Sequence, residues 1–272
     1  MGFYDRIRLI QEKNDSLLCV GLDPDPEKIP GSLRSSVDPV GEFCQRIVEA
    51  TSNLVCAYKL NLAFFEGRKG GGLSTLERVL ACIPSDVMTI ADGKRGDIGN
   101  SAERYARTLL DEFRFTATTV NPYMGEDSIR PFIKNPDRGA FVLALTSNPG
   151  ARDFQCLRAG RKPLYEHVVA KAVKWNVNGN IGFVVGATRA SQLKRIRSLV
   201  PDIPLLIPGI GAQKGNVKLT VRWGCDARGT MALVNASRSI LYASDGEDFA
   251  RAARQSAQKL RDEMNAYREQ FF

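Results

Sequence analysis

The sequence predicts an α/β protein that folds as one (β/α)8 barrel, a TIM barrel, over residues 1–272. Short apolar runs of strand length alternate along the chain with segments of helical length or pattern. The runs are apolar on both faces, which is typical of a parallel sheet covered by helices. No internal repeat, linker or low-complexity tract divides the chain, so a single domain is expected. The alternative is a doubly wound open sheet, but residues 21–24 lack the glycine-rich turn of that fold.

The predicted strands are the apolar short runs, and most end beside a polar or glycine-containing segment. The third run leads directly into a charged segment, residues 91–98, around which the rest of the chain is arranged. The eight predicted strands span residues 17–22, 55–61, 87–90, 117–121, 141–146, 181–186, 205–208 and 231–235.

The predicted helices carry apolar residues three or four positions apart, which is the spacing of one helix face. One helix is opened by Asp38 as N-cap with Pro39 in the first turn. Another is expected over 163–175, whereas 151–162 is expected to be an irregular loop. The apolar positions on the predicted helix stripes are Phe3, Ile7, Ile10, Val40, Phe43, Ile47, Ala50, Leu54, Leu73, Leu76, Val79, Leu80, Ile83, Ile98, Ala102, Tyr105, Ala106, Leu109, Leu110, Phe113, Leu193, Ile196, Leu199, Val200, Phe249, Ala253, Leu260, Met264 and Tyr267.

Composition narrows the classes of function. The net charge of +8 suits anionic small substrates, and no basic run with interleaved aromatic residues indicates nucleic-acid binding. No apolar run is long enough to span a membrane, and the N-terminus lacks the apolar core of a signal peptide. The six cysteines form no Cys-x-x-Cys pair, and His167 is the single histidine, which argues against a disulfide framework or a histidine metal site. We therefore expect free thiols, no metal and a cytoplasmic setting.

Residues 91–98 place four charges where the third strand ends and a helix begins. In α/β folds this is the position at which ligands bind. Asp92 and Lys94 are two positions apart, so at an extended strand end both side chains point to the same side. Each keeps the other charged, and both are aimed at whatever enters the pocket. A salt-bridged turn on a solvated loop is the alternative interpretation.

Polar side chains also occur at the ends of other predicted strands. Because every strand of a barrel points its carboxyl end at the same mouth, these side chains are expected to share one site. Lys59 is the clearest case, since its strand is otherwise apolar and an unpaired ammonium there would be costly. The alternative is a lysine that extends from the strand end to solvent. The residues selected in this way are Asp23, Lys59, Asn61, Asp92, Lys94, Ser147, Gln213 and Arg238.

The last two strands predict a phosphate site. A glycine-rich loop that begins at Pro208 follows the seventh strand, and Arg238 follows the eighth. Loops in these two places often bind phosphate in this fold through backbone N–H groups. The guanidinium fork of Arg238 matches phosphate geometry. A flexible turn is the alternative for the glycine-rich loop taken alone.

The charged segment resembles the Asp-x-Lys-x-x-Asp motif of the orotidine 5′-phosphate decarboxylases, in the form of the longer bacterial, type 2 branch. Residues 120–125 and 185–188 resemble the same branch, and the resemblance spans about residues 19–242. It implies a carboxy-lyase that converts orotidine 5′-phosphate (OMP) to uridine 5′-phosphate (UMP) and CO2, the last step of de novo pyrimidine nucleotide synthesis. No metal, flavin or pyridoxal cofactor is implied.

The resemblance also implies roles for single residues. Lys94 corresponds to the lysine that protonates carbon 6 of the pyrimidine as CO2 leaves. The family has an alternating Lys-Asp-Lys-Asp network, matched here by Lys59, Asp92, Lys94 and Asp97. The last aspartate of that network comes from the partner subunit, so a homodimer is implied. The residues that would reach the neighbouring site are Asp97, Ile98 and Ser101.

On the substrate side, Asp23 matches the residue that holds the ribose, and Ser147 matches the serine near the pyrimidine. Gln213 and Arg238 match the pair that grips the phosphate, on a loop that closes over substrate. Asn61 and Pro208 are expected to bind substrate as well. Two positions depart from the family: Ser101 stands where threonine is expected, and Ser237 where glycine is common in the shorter branch.

Three rivals remain at this stage. A sugar-phosphate lyase of the same superfamily shares the motif but uses magnesium and carries glutamate where this chain has Lys59, and a cation there would repel the metal. A Schiff-base aldolase needs an uncharged lysine, whereas flanking carboxylates favour the ammonium form. A nucleic-acid-binding protein would bind tightly and salt-dependently without turnover.

Overall fold

Eight parallel strands close into a barrel in the computed structural model, which describes residues 1–211 and 215–272, so the predicted fold class is confirmed. Each strand pairs with its neighbours in chain order, and the first pairs with the last. The barrel strands are β1 (Leu18–Leu22), β2 (Ala57–Asn61), β3 (Met88–Arg95), β4 (Ala117–Val120), β5 (Gly139–Leu145), β6 (Ile181–Val185), β7 (Leu205–Pro208) and β8 (Ala232–Ala236).

Helices lie between the strands and cover the outside of the barrel. The helices are α1 (Phe3–Lys13), α2 (Pro39–Thr51), α3 (Ala63–Glu66), α4 (Gly72–Cys82), α5 (Gly99–Ala106), α6 (Glu126–Ile129), α7 (Leu164–Trp175), α8 (Ala190–Leu199), α9 (Val217–Gly224), α10 (Arg238–Leu241) and α11 (Phe249–Phe271). A π-helical segment, Arg107–Glu112, continues α5. Short 3-10 turns cover Pro26–Lys28, Gly31–Leu33, Ser52–Leu54, Pro122–Met124, Arg130–Ile133 and Pro149–Arg152.

Strand alternation decides which side chains enter the barrel. On β2, the Tyr58 hydroxyl lies 2.7 Å from the hydroxyl of Thr51 on α2, so Tyr58 faces the helix layer. The next residue, Lys59, must face the opposite way, into the barrel. Parallel pairing sets Lys59 level with Gly21 and Asn61 level with Asp92. The polar ends of β1, β2 and β3 are therefore at similar heights.

A bulge interrupts the pairing of β3 with β4. Ala91 pairs with Thr118 and Arg95 pairs with Val120, so three residues of β3 lie opposite the single residue Thr119. Bulges of this kind bend a strand and redirect its side chains. This one falls in the charged segment that the sequence singles out.

The amino-terminal end of the barrel is closed by α1. Phe3 packs edge-on against Phe141, with ring centroids 5.9 Å apart. Gln11 donates to the carbonyl of Ala232 at 2.8 Å and accepts from the amide of Met231 at 2.9 Å. Side chains of α1 therefore pack against this end of the barrel, away from the carboxyl ends of the strands.

Some helix faces differ from the prediction. Ile98, Leu73 and Tyr105, all assigned to apolar stripes, are 57%, 52% and 40% exposed. Apolar spacing predicts a helix face that avoids water. It does not show whether that face is covered by this chain or by another one. Phe3, Ile7 and Ile10 are buried as predicted. The six cysteines are free.

Two local predictions are corrected. Residues 151–162 are not wholly irregular, because Arg158–Ala159 pairs antiparallel with Lys162–Pro163. Asp38 precedes α2 as predicted, but its side chain makes no capping hydrogen bond. Its carboxylate instead accepts from Arg78 at 2.5 Å and from Thr75 at 2.9 Å, which ties α2 to α4.

Across the described parts of the chain, no helix has the length and apolar character to cross a membrane.

Candidate active site

A cavity of about 560 Å³ opens at the carboxyl ends of the barrel strands. Eight of the residues selected from the sequence line it: Asp23, Lys59, Asn61, Asp92, Lys94, Ser147, Pro208 and Arg238. The cavity therefore brings together side chains that are up to 215 positions apart in the sequence (238 − 23 = 215).

A chain of charges crosses the floor of the cavity. The Lys59 ammonium lies 2.8 Å from Asp92 Oδ2 and 3.5 Å from Asp23 Oδ1. The other oxygen of Asp92, Oδ1, accepts from Lys94 Nζ at 2.7 Å. The Lys59 and Asp92 side chains are only 5% and 10% exposed, whereas that of Lys94 is 49% exposed. Of the two lysines that line the cavity, Lys94 is thus the one presented to its open space.

Burial and the neighbouring charges shift the pKa values of Lys59 and Asp92 in opposite directions. Burial favours an uncharged Lys59, but the carboxylates of Asp23 and Asp92 outweigh it and raise the pKa of Lys59. Burial likewise opposes the charge on Asp92, but Lys59 and Lys94 outweigh it and lower the pKa of Asp92 to about 2. Lys59 and Asp92 therefore stay ionised at neutral pH.

The depressed pKa of Asp92 predicts an acid-sensitive contribution to stability. Since the folded-state pKa lies below the ordinary value of 3.8, this contribution is present above about pH 4 and is lost as the pH falls toward 2. The full amount is roughly 2 kcal/mol. Urea unfolding of Asp92→Asn should show a loss of stability between pH 6 and pH 2 that is smaller than the wild-type loss by that amount. The exposed Asp111→Asn should keep the wild-type pH dependence, and an unchanged slope in Asp92→Asn would refute the coupling.

Asp23 has one oxygen with no hydrogen-bond partner. Its Oδ1 is buried and unpartnered, apart from the longer ionic contact to Lys59. Buried acceptors in native proteins are almost always satisfied, so an unsatisfied one in a cavity indicates a donor supplied by a ligand. Its main chain is held in place, because Tyr242 Oη donates to the Asp23 carbonyl at 3.1 Å.

After β7 and β8, a proline–glycine turn and Arg238 contribute to the lining of the cavity. Gly209 has φ of +112°, a conformation that L side chains rarely adopt, so glycine is required at this turn. Gly21 is needed for a different reason: a Cβ there would lie 1.9 Å from Ser237 Oγ. Within residues 1–211 and 215–272, no carboxylate forms an ion pair with Arg238. The guanidinium is therefore available to an anion.

Around Ser147, the wall of the cavity is polar and locally cross-linked. The amide of Thr146 donates to Gln155 Oε1 at 2.7 Å, and Gln155 Nε2 donates to the Thr146 hydroxyl at 3.0 Å. The Thr146 hydroxyl lies 2.5 Å from Asn148 Oδ1. These contacts fix the loop after β5 and leave a wall that suits the polar edge of a ring.

The remaining selected residues lie elsewhere. Asp97, Ile98 and Ser101 do not line the cavity. Asp97 and Ser101 instead face a second pocket of about 400 Å³, between α4 and α5, and Ile98 is exposed beside them. Gln213 lies outside the described residues.

Sequence reasoning missed several residues of the lining. Thr119 and Gln155 were not selected, nor was the apolar wall formed by Leu143, Val184 and Leu206. Thr119 lies in the predicted fourth strand. Threonine is a common residue in strands, so its presence there did not mark it as part of a site. Gln155 lies in the stretch expected to be irregular. Strand alternation around β5 and β6 was the one signal that could have pointed to Leu143 and Val184.

Comparison with known proteins gives a consistent picture. A model of the orotidine 5′-phosphate decarboxylase / HUMPS family matches residues 16–253. A protein of Dehalococcoides mccartyi named orotidine 5′-phosphate decarboxylase is 47% identical over 275 aligned positions, which cover 100% of both chains.

Solved structures agree with the sequence matches. The structure of Leishmania donovani OMP decarboxylase superposes with a TM-score of 0.87 at 39% identity, covering 99% of this chain and 100% of that one. The structure of Leishmania donovani UMP synthase gives a TM-score of 0.89 at 40% identity and covers 98% of this chain. This chain spans only 57% of the length of that UMP synthase.

Proposed function

The chain belongs to the orotidine 5′-phosphate decarboxylase / HUMPS family, and we propose that it converts OMP to UMP and CO2. This reaction would complete de novo pyrimidine nucleotide synthesis, as the resemblance implies. One observation carries the proposal. In the mouth of the barrel, Asp92 is ion-paired on one oxygen to the buried Lys59 and on the other to the accessible Lys94.

Lys94 is the proposed proton donor. When the bond between carbon 6 and the carboxylate breaks, CO2 departs and the electron pair remains on carbon 6. An ammonium fixed beside that carbon stabilises the developing negative charge and then transfers its proton to it, giving UMP. Because Lys94 is half-exposed, its neutral amine can regain a proton from solvent once the product leaves.

Asp92 and Lys59 act together in this proposal. Asp92 orients Lys94 and would lie near the substrate carboxylate, whose expulsion its negative charge would favour. Lys59 balances the buried charge of Asp92 and of Asp23. The unsatisfied oxygen of Asp23 would accept a hydrogen bond from a ribose hydroxyl.

The position of Lys59 also bears on the magnesium-dependent alternative. Its ammonium lies between Asp23 and Asp92, which are the carboxylates among the described residues that line the cavity. A divalent cation bound by these two carboxylates would be repelled by the positive charge of Lys59. The site is therefore better suited to a reaction in which Lys94 supplies the positive charge.

Arg238 is proposed to bind the phosphate, together with Gln213 and the loop that begins at Pro208. Arg238→Ala should lower kcat/KM for OMP about 100-fold, because a charge-assisted contact to phosphate is worth about 3 kcal/mol. The same substitution should leave kcat/KM for orotidine, which has no phosphate, nearly unchanged. Arg130→Ala, at an exposed position directly after α6, should behave as wild type toward both substrates. Equal losses for both substrates in Arg238→Ala would contradict the assignment.

A homodimer is part of the proposal, with Asp97, Ile98 and Ser101 completing the neighbouring site. Two features support it. These residues lie outside the cavity of their own chain, and exposed apolar side chains lie near them: Leu73 and Tyr105 line the second pocket with Asp97 and Ser101, Met124 lies beside Gly96, and Ile98 is itself exposed. Apolar side chains clustered on one face commonly mark an interface between proteins.

The direct test is an assay of OMP decarboxylation, followed by ultraviolet absorbance, on protein treated with EDTA. Sustained turnover without added metal is expected. If the folded dimer does not turn over OMP, the proposed activity is wrong. Turnover of a sugar phosphate that requires added magnesium would then support the alternative lyase.

A further inference from the structure

We propose that Thr119 is a positioning residue that holds Lys94 in its reactive orientation, an inference that rests on the proposed decarboxylase function. Thr119 is the single residue of β4 opposite the three-residue bulge of β3. It is 1% exposed and its side chain lines the cavity.

The bulge leaves Lys94 in an unusual backbone conformation. Lys94 has φ of +45°, in the left-handed region that residues with a side chain rarely adopt. Its amide is displaced from regular ladder pairing and donates instead to Thr119 Oγ1 at 2.9 Å. Thr119 thus satisfies a backbone donor that the bulge would otherwise leave without a partner.

The direction of the second hydrogen bond follows from the first. Since the Lys94 amide can only donate, the Thr119 hydroxyl accepts there and keeps its own hydrogen for another partner. That hydrogen points to Asp92 Oδ1, at 2.9 Å. The same oxygen accepts from Lys94 Nζ at 2.7 Å. One hydroxyl therefore fixes both the backbone of Lys94 and the carboxylate that orients its ammonium.

This arrangement explains how a half-exposed lysine can be held in place. Lys94 carries a flexible side chain, and in water its ammonium would sample several rotamers. The three hydrogen bonds that join Lys94, Asp92 and Thr119 restrict that side chain both at the backbone and at the ammonium group. Misplacing a reacting group by about 1 Å is enough to cost roughly 100-fold in rate.

The test compares Thr119→Val, which keeps the shape and removes the hydroxyl, with Thr119→Ser, which keeps the hydroxyl. Thr119→Val should lower kcat about 10- to 100-fold, with KM for OMP and the affinity for UMP within about threefold of wild type. Thr119→Ser should retain kcat within about threefold. Hydrogen exchange supplies a readout besides activity: the Lys94 amide should be protected in wild type and Thr119→Ser and should exchange faster in Thr119→Val.

The possible outcomes separate this inference from the proposed function. Wild-type kcat in Thr119→Val, equal losses in both variants, or a fall in UMP affinity that matches the fall in kcat would each overturn it. An inactive wild type would refute the proposed activity. In that case, unchanged exchange of the Lys94 amide in Thr119→Val would overturn the positioning role as well.

Discussion

Lys94→Ala is expected to abolish OMP decarboxylation, lowering kcat by about 10,000-fold or more. The size follows from the two tasks assigned to one ammonium. It stabilises the negative charge that develops on carbon 6, and it supplies the proton that quenches that charge. The other lysine that lines the cavity, Lys59, cannot replace it, because its ammonium is buried against Asp92 and Asp23. The measurement is single-turnover absorbance with enzyme in excess of OMP.

Three variants sharpen this experiment. Lys13→Ala removes another lysine that is paired with an aspartate, but on the surface, and should keep wild-type activity. Lys94→Arg keeps the positive charge in a group that does not release its proton at neutral pH, so it should remain nearly inactive. Lys59→Ala is also expected to lose activity, but through displacement of Asp92. If Lys94→Ala kept more than about a tenth of the wild-type kcat, another group would have to protonate carbon 6.

Much of the charged floor of the site could be predicted from the sequence, and the reason is topological. A closed parallel barrel points every strand in one direction, so polar residues after apolar runs must meet at one mouth. Lys59, Asp92 and Lys94 were found in this way, and the structure brings them within hydrogen-bond distance. Once the barrel closes, their separation in the sequence no longer determines how close together they lie.

The bulge of β3 could not be predicted, and Thr119 was missed with it. A two-residue period predicts that Asp92 and Lys94 point the same way in a regular strand. The structure reaches that result differently, through a left-handed Lys94 and an interrupted ladder. Hydrophobic periodicity carries no information about such an irregularity, because a single threonine opposite it is also a good strand residue.

The exposed apolar positions show a second limit. Ile98 and Tyr105 fit the helical stripe of α5, yet both are exposed in the single chain. A periodic pattern records that a face avoids water and leaves open which surface covers it. For Ile98, the resemblance to the family implies one covering surface, the neighbouring subunit of the proposed homodimer.

A shared site makes a prediction that a self-contained site does not. Asp97→Ala should lower kcat about 100- to 1,000-fold, since a charged group near the reacting centre is removed. Lys94→Ala subunits lack the proton donor but keep Asp97, and Asp97→Ala subunits have the reverse defect. When the two variants are mixed, dissociated and reassociated at random, about half of the dimers are hybrids. Each hybrid has one site with both residues intact, so about a quarter of the wild-type sites should be restored.

A second mixture provides the matched control. Lys59 and Lys94 lie in the same cavity of the same chain, so a hybrid of Lys59→Ala with Lys94→Ala contains no intact site and should stay inactive. Recovery in the first mixture but not in the second would assign Asp97 to the neighbouring cavity. If hybrids confirmed by native mass spectrometry recover no activity in the first mixture, Asp97 does not complete the partner's site. Its side chain, which accepts from the amide of Ile98 at 2.8 Å, would then serve the turn before α5.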